Sequence, residues 1–367
     1  MPRALSSSAA VAIAIAAAVL AVSAQTTTPP AGQRSFAKIS QALSEPGGYF
    51  DTDNLISNER SFLHVTPALR VPALAGGVYV GVGPDQNFSY IAHARPSLAI
   101  IVDIRRDNLL LHLLFKALFQ LAPTRIEYLS LLTGRAPPAA ADVWTARPVR
   151  DVIAGIDRAA PLGADRLAAL DQRLAATIDA FGMALTPEDH RTIVRFHRRF
   201  VDDGLSLQFN STGRAPQFNY PTYRDLLLET DRAGTPRSFM AAEADYQFVR
   251  SLQGRDLVVP IVGDLAGPRA LAAVARFLTD RKAQVSAFYV SNVEFYLFRQ
   301  GSFARFVNNV ARMPRRNGSV IIRSAFNGAP TVPGYNSASM TQPIQALVDG
   351  YAAGRFRQYW DLISDSR

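Results

Sequence analysis

Gly77-Val78-Tyr79-Val80-Gly81-Val82-Gly83 sets a short apolar, β-branched run directly against two glycines. Such a run reads as a buried strand that ends in a tight turn. Working outward, residues 86–94 read as a helix, and Leu98-Ala99-Ile100-Ile101-Val102-Asp103 is a second strand that ends in a carboxylate. Its unbroken hydrophobicity suits a strand buried on both faces of a parallel sheet. The pattern returns in Leu257-Val258-Val259-Pro260-Ile261-Val262-Gly263-Asp264, and then in Val285-Ser286-Ala287-Phe288-Tyr289-Val290, which runs into Ser291-Asn292-Val293-Glu294. A fifth strand is expected at Gly318-Ser319-Val320-Ile321-Ile322-Arg323. Helices with Leu271, Val274 and Leu278 facing inward, and over Phe303 to Met313, separate these runs. The alternation predicts an α/β fold: a Rossmann-like, doubly wound and mostly parallel sheet.

Between the second and third strands the period changes. Leu110, Leu114, Leu118 and Leu121 predict one long helix from Asp107 to about Gly134, stopped by Pro137-Pro138. Leu167, Leu170, Leu174, Ile178 and Phe181 mark another helix. Thr186-Pro187-Glu188-Asp189 opens a third with a threonine cap, proline in the first turn and early acids. Asn219-Tyr220-Pro221-Thr222-Tyr223 reads as a loop. Residues 109–252 are thus expected to form a large helical insertion, with the α/β core at 67–108 and 253–330 and a C-terminal segment at 331–367.

The chain has 367 residues, 39 basic and 30 acidic side chains, a net charge of +9 and no cysteine. Disulfide, thiolate, zinc-thiolate and iron-sulfur chemistry are therefore excluded. Arg191, Arg195, Arg198 and Arg199 interleave with Phe196 and Phe200, the pattern of a helix that solvates one face and buries the other, so no nucleic acid partner is expected. Residues 1–24 carry Arg3, an apolar run from Ala9 to Val22 and the small residues Ser23 and Ala24, which read as a secretory signal peptide. Residues 25–66 form a tether and a polar N-terminal segment. The mature chain is expected to be exported, periplasmic or secreted, with no membrane span.

In an open α/β sheet, ligands bind beyond the carboxyl ends of the strands, near the point where strand order reverses. Gly81 and Gly83 would let backbone approach a ligand. Asp103 has the offset to accept from ribose hydroxyls, and Asp264, Ser291, Asn292 and Glu294 lie at later strand ends. General-base candidates are Glu59, His64, Tyr289 and Glu294, the first two on a polar segment that could fold across the cleft. His190 and His197 could share a helix face, but no third ligand accompanies them and no metal is expected.

These strand ends resemble the class I S-adenosylmethionine-dependent methyltransferases, and more narrowly a family of exported bacterial proteins on that fold. The resemblance covers Gly77 to Asp107 and Leu257 to Phe326. It implies S-adenosylmethionine as cofactor, Gly81 and Gly83 as the glycine-rich loop, Asp103 as the ribose acid, Asp264 as the adenine-side acid, and Ser291 to Glu294 as the substrate-facing turn. The chain departs from that pattern at Tyr79, where an acid is usual, and at Asp85, where a third glycine is usual; Asp85 would then replace the missing acid. Gln86 breaks the dinucleotide-binding form. The expected function is binding of a small polar or nucleoside-like ligand, with methyl transfer as its enzymatic form. The alternative is a noncatalytic envelope or interaction protein whose helical insertion meets a protein partner.

Overall fold

A computed structural model describes residues 31–212, 220–326, 329 and 331–366. The expected signal peptide and the Thr/Pro-rich start of the tether lie outside the described residues. The first element is α1 (Ala31–Leu43), and a 3₁₀ turn (Arg60–Val65) leads into the short α2 (Thr66–Leu69). Next come β1 (Val78–Gly81), α3 (Gln86–Ala94), β2 (Leu98–Asp103), α4 (Arg106–Leu121) and α5 (Arg125–Leu132). The single long helix expected to Gly134 is therefore two. Pro123 removes a backbone donor, and Thr124 with Glu127 closes a reciprocal cap that starts a new helix.

Three further helices, α6 (Val149–Arg158), α7 (Ala164–Ala180) and α8 (Pro187–Asp203), precede α9 (Tyr223–Leu228) and α10 (Glu243–Gly254). The expected cap of α8 is present: Thr186 accepts from the Asp189 N–H while Asp189 accepts from the Thr186 N–H. Thr222 and Asp225 cap α9 in the same way, so the last two residues of the stretch read as a loop instead launch a helix. The chain then continues through β3 (Val258–Val262), α11 (Ala270–Asp280), β4 (Val285–Ser291), α12 (Val293–Arg299), α13 (Phe303–Arg312) and β5 (Arg315–Phe326). It closes with β6 (Ser337–Pro343), α14 (Ile344–Ala352) and α15 (Tyr359–Ser364).

The six strands form one sheet in the order β3-β2-β1-β4-β5-β6. β1 to β5 are parallel and β6 runs antiparallel to β5. The mostly parallel sheet is as expected from the sequence, and its strand order reverses between β1 and β4. β1 and β3 are buried along their whole length, because helices cover both faces. α3, α10 and α4 pack together as one layer, with α7 and α8 against α4; α1, α11, α13 and α14 make a second contiguous layer. The outer edge of β3 is closed by α1: the Ser40 hydroxyl donates to the Pro260 carbonyl at 2.5 Å, and the Val262 N–H donates to Ser44 Oγ at 3.0 Å. This explains a proline inside a strand, since β3 has a sheet partner on one side only.

Candidate functional site

β1 ends at Gly81, and Val82-Gly83-Pro84-Asp85 turns the chain into α3. Gly83 has φ +80°, a left-handed conformation that glycine adopts without penalty. Beside this turn, a cleft of roughly 210 Å³ opens at the carboxyl ends of β1, β2, β3 and β4, at the point where strand order reverses. Gly83, Asp103, Asp264, Ser291 and Asn292 all line it, and Glu59 reaches it from the N-terminal segment. Val102, Ile104 and Leu265 supply apolar wall, and five aromatic residues, Tyr49, Phe50, Phe209, Tyr220 and Tyr296, also line the cleft.

The polar N-terminal segment folds across this cleft. Gly48 N–H donates to Ile104 O at 2.7 Å, and Thr52 bridges to Ser211 from the stretch between α8 and α9. Arg105 holds the arrangement together. Its Nε and Nη2 donate to the two carboxylate oxygens of Asp103 at 3.1 Å each, and its Nη1 donates to the carbonyls of Thr52 at 2.9 Å and Asp53 at 3.3 Å. The Arg105 backbone N–H also donates to Asp103 Oδ1. Asp103 thus faces the cleft with part of its acceptor capacity already used. At the end of β3, Asp264 Oδ1 accepts from the Ala266 N–H at 2.8 Å. Glu45 accepts from the N–H groups of Asp264, Arg269 and Ala270, and so fills the anion position at the start of α11 with a side chain of the protein itself.

Glu59 is 1% exposed and accepts from three hydroxyls: Tyr289 at 2.7 Å, Ser324 at 2.5 Å, and Ser291. Burial pushes its carboxyl above the usual range, and the three donors pull it back. Tyr289 is itself pushed well up by burial and by the neighbouring Glu59 charge. Ser291 adopts φ +54°, in the left-handed region that non-glycine residues enter at a cost of about 1 to 2 kcal/mol. Beyond Ser324 the hydroxyls continue: Ser324 to Ser339 at 3.1 Å, Ser339 to Ser61 at 3.0 Å and Ser61 to Ser337 at 2.9 Å.

Four residues assigned to the site from sequence lie elsewhere or act differently. Gly81 makes room for Asn87, not for a ligand. A Cβ there would stand 2.0 Å from Asn87 Oδ1, and Asn87 donates to the carbonyls of Val82 and Pro84 while accepting from Tyr79. Asp85 turns away from the cleft and accepts from the Tyr223 hydroxyl at 2.7 Å; burial pushes its carboxyl up to about 7. Glu294 is buried against Arg323, with contacts of 2.6 and 3.1 Å, and ties α12 to β5. His64 packs its ring on Tyr335, 4.5 Å between centroids, outside the cleft lining, and burial lowers its pKa. A continuous sheet buries one side of each strand end and opens the other, and which side a residue takes is not visible in its spacing. His190 and His197 lie on α8 beside Asp179 and Asp171 respectively, and His197 also bonds the Leu131 carbonyl.

Arg105, Asn87 and the aromatic part of the lining are not among the site residues expected from the sequence. A signal for Arg105 exists in Asp103-Ile104-Arg105, where alternation puts acid and arginine on the same side of an extended chain.

Residues 54–144 and 207–350 match the family described as Domain of unknown function (DUF7790), which is more than half of the chain. The chain belongs to that family. The matched segments carry Glu59, Gly83, Gln86, Asp103, Arg105, Asp264, Tyr289 and Ser291, and the unmatched stretch between them holds α6, α7 and α8. The strand-end residues of the cleft are therefore within the family's shared part, whereas Tyr49, Phe50 and Thr52 of its lining and the helices α6 to α8 are not. No curated protein matches the chain.

Proposed function

We propose that this DUF7790 protein binds a small polar, nucleoside-like ligand in the cleft at the carboxyl ends of β1 to β4, as an exported protein on a methyltransferase-like scaffold with a helical insertion between β2 and β3. The observation that carries the reading is the meeting of Gly83, Asp103 and Asp264, from three different strand ends, on one cleft. Their chemistry suits a nucleoside. Nothing crowds Gly83 more closely than the Asn54 amide, 3.4 Å from where a Cβ would be, so a ligand can approach that backbone. Asp103 is acceptor-only and retains lone pairs beyond those Arg105 uses, enough for a ribose hydroxyl. Val102, Ile104 and Leu265 offer apolar faces to a flat ring, with Asp264 at its polar edge.

S-adenosylmethionine fits the nucleoside half of this site, and when bound it supplies an electrophilic methyl group. The chain's own contribution is to orient and to hold protons. Asp103 and Gly83 fix the sugar, and Ser291 with Glu59 forms a hydroxyl–carboxylate pair that can take a proton from a hydroxyl or amine acceptor. The methionine end has no acid at Asp85 to meet it, because Asp85 is engaged by Tyr223. Pro84 also withdraws one N–H from the turn, which disfavours a diphosphate there.

Isothermal titration of S-adenosylmethionine, S-adenosylhomocysteine and adenosine against the chain from Gln25 onward tests the reading, with folded Asp103→Ala as control. Binding that weakens in the variant supports the nucleoside site. Binding of adenosine alone separates a nucleoside-binding scaffold from a methyltransferase, and no binding of any of the three refutes both.

A further inference from the structure

We propose that the inner wall of the cleft, made by Glu59, Ser291 and Gln86, is a subsite for an organic ammonium group. The inference rests on the reading of the cleft as a ligand site and adds the chemistry of one end of its ligand.

Charge is the first argument. Glu59 is almost fully buried and has hydroxyl donors, yet among the described residues no ion pair reaches it. Four other acids with largely buried carboxylates are matched: Glu294 by Arg323, Asp231 by Arg237, Asp189 by Arg106, and Asp103 in the same cleft by Arg105; Asp85, held by the Tyr223 hydroxyl away from the cleft, is like Glu59 in having no cation. Removing a carboxylate from water without a cation is costly, and hydroxyl donors offset only part of that cost. A cationic ligand at this wall supplies the missing charge.

An unused acceptor on the same wall is the second. Gln86 is 6% exposed and lines the cleft beside Tyr289. Its Nε2 donates to the Tyr289 hydroxyl at 2.5 Å, while its Oε1 is buried and has no hydrogen-bond partner among the described residues. Glu59 and the unpartnered Gln86 Oε1 are both closed off from solvent just behind the lining and leave acceptors without a cation there, so the complementary group carries several donors and no acceptor. A primary ammonium has three donors and none to accept. A carboxylate or phosphate would meet Glu59 with like charge.

The aromatic part of the lining supports the same choice. Tyr49 lies 76% exposed on the lining, and Phe50 packs edge-on against Tyr296 with centroids 5.0 Å apart. Aromatic faces attract cations, most strongly where water is partly excluded. Ser291, held in its left-handed conformation at the end of β4, lines the same cleft and bonds the Glu59 carboxylate.

The probes are benzylammonium, benzyl alcohol and benzoate, which share a ring and differ in charge and donor count. Titration against the chain from Gln25 onward near neutral pH is expected to show benzylammonium at least about tenfold tighter than benzyl alcohol, with benzoate weakest. Folded Glu59→Gln is expected to remove that preference, and Gln86→Leu to weaken benzylammonium several-fold while leaving benzoate unchanged. Equal binding of benzylammonium and benzyl alcohol overturns the proposal, as does an unaltered preference in folded Glu59→Gln. Should Glu59→Gln fail to fold, the charge preference of the wild type and its response to Gln86→Leu decide the matter. Adenosine binding in parallel keeps the two readings apart: adenosine bound without an ammonium preference rejects the subsite alone, and an ammonium preference without adenosine binding rejects the nucleoside reading alone.

Discussion

Gly81→Ala isolates the role of the first glycine of the β1 turn. A Cβ at this position would lie 2.0 Å from Asn87 Oδ1 and 2.7 Å from both Cε1 and the hydroxyl of Tyr79, far inside ordinary contact. The backbone of β1 is locked between β2 and β4, so the side chains must move. Displacing the Asn87 amide breaks its 2.7 Å bond from Tyr79 and disturbs its bonds to Val82, Gly83 and Pro84. Each such bond contributes about 0.5 to 1.5 kcal/mol, and a buried hydroxyl left without a partner costs about 1 to 3 kcal/mol. The expected loss is about 3 kcal/mol, measured as the change in unfolding free energy in urea. Asn87→Ala alone should cost a similar amount. In that background Gly81→Ala should cost much less, because Oδ1 is gone and the Tyr79 ring gains room, giving a coupling of about 1 to 2 kcal/mol. A Gly81→Ala variant within about 0.5 kcal/mol of wild type, or strict additivity in the cycle, would refute the assignment of Gly81 to internal packing.

Arg105→Ala is expected to free the N-terminal segment from the cleft, since one side chain bonds Asp103 and the carbonyls of Thr52 and Asp53. Its removal leaves a largely buried Asp103 unpaired, a loss of about 3 to 5 kcal/mol, and amide exchange over residues 48–58 should accelerate more than in α13; uniform exchange in both would reject the anchoring role. Asp85 and His112 should impose opposite pH dependences on stability. The carboxyl of Asp85, raised from 3.8 to about 7, stabilises the fold fully below pH 3.8 and loses that contribution as pH rises toward 7. Burial lowers His112 from 6.5 to about 4, so its contribution is full above pH 6.5 and lost as pH falls toward 4. Urea midpoints across this range should therefore fall on acidification more steeply in Asp85→Asn than in wild type, and less steeply in His112→Gln; a wild-type slope in both variants would contradict the assignment.

Much of the core was legible because strands buried on both faces must be apolar throughout. The runs at 98–103, 257–262 and 285–290 each lie on an observed strand, and the glycine turn after β1 falls beside the cleft. The cap of α8 could be read because Thr186 and Asp189 act within one turn. β6 was not legible. Ser337, Ser339 and Gln342 interrupt its hydrophobicity, yet all three are buried, with the serine hydroxyls bonded to Ser61 and Ser324 and the glutamine to Arg323. A strand whose polar side chains are satisfied by distant partners has no local hydrophobic signature.

The site divides along the same line. Local pattern sufficed to place Gly83, Asp103, Asp264, Ser291 and Asn292 at strand ends, because a run of β-branched residues against a turn fixes where the strand stops. Which strand-end side chains face the cleft depended on long-range partners: Tyr223 engages Asp85, Arg323 engages Glu294, and Arg105 holds the N-terminal segment by the carbonyls of Thr52 and Asp53. The sequence alone determined the layered α/β order, since burial on two faces and helical period are properties of contiguous residues. The tertiary structure alone decided the chemistry of the cleft wall, where Glu59 meets Tyr289, Ser291 and Ser324 across separations of more than two hundred residues, because a buried charge takes its neighbours from packing and not from its place in the chain.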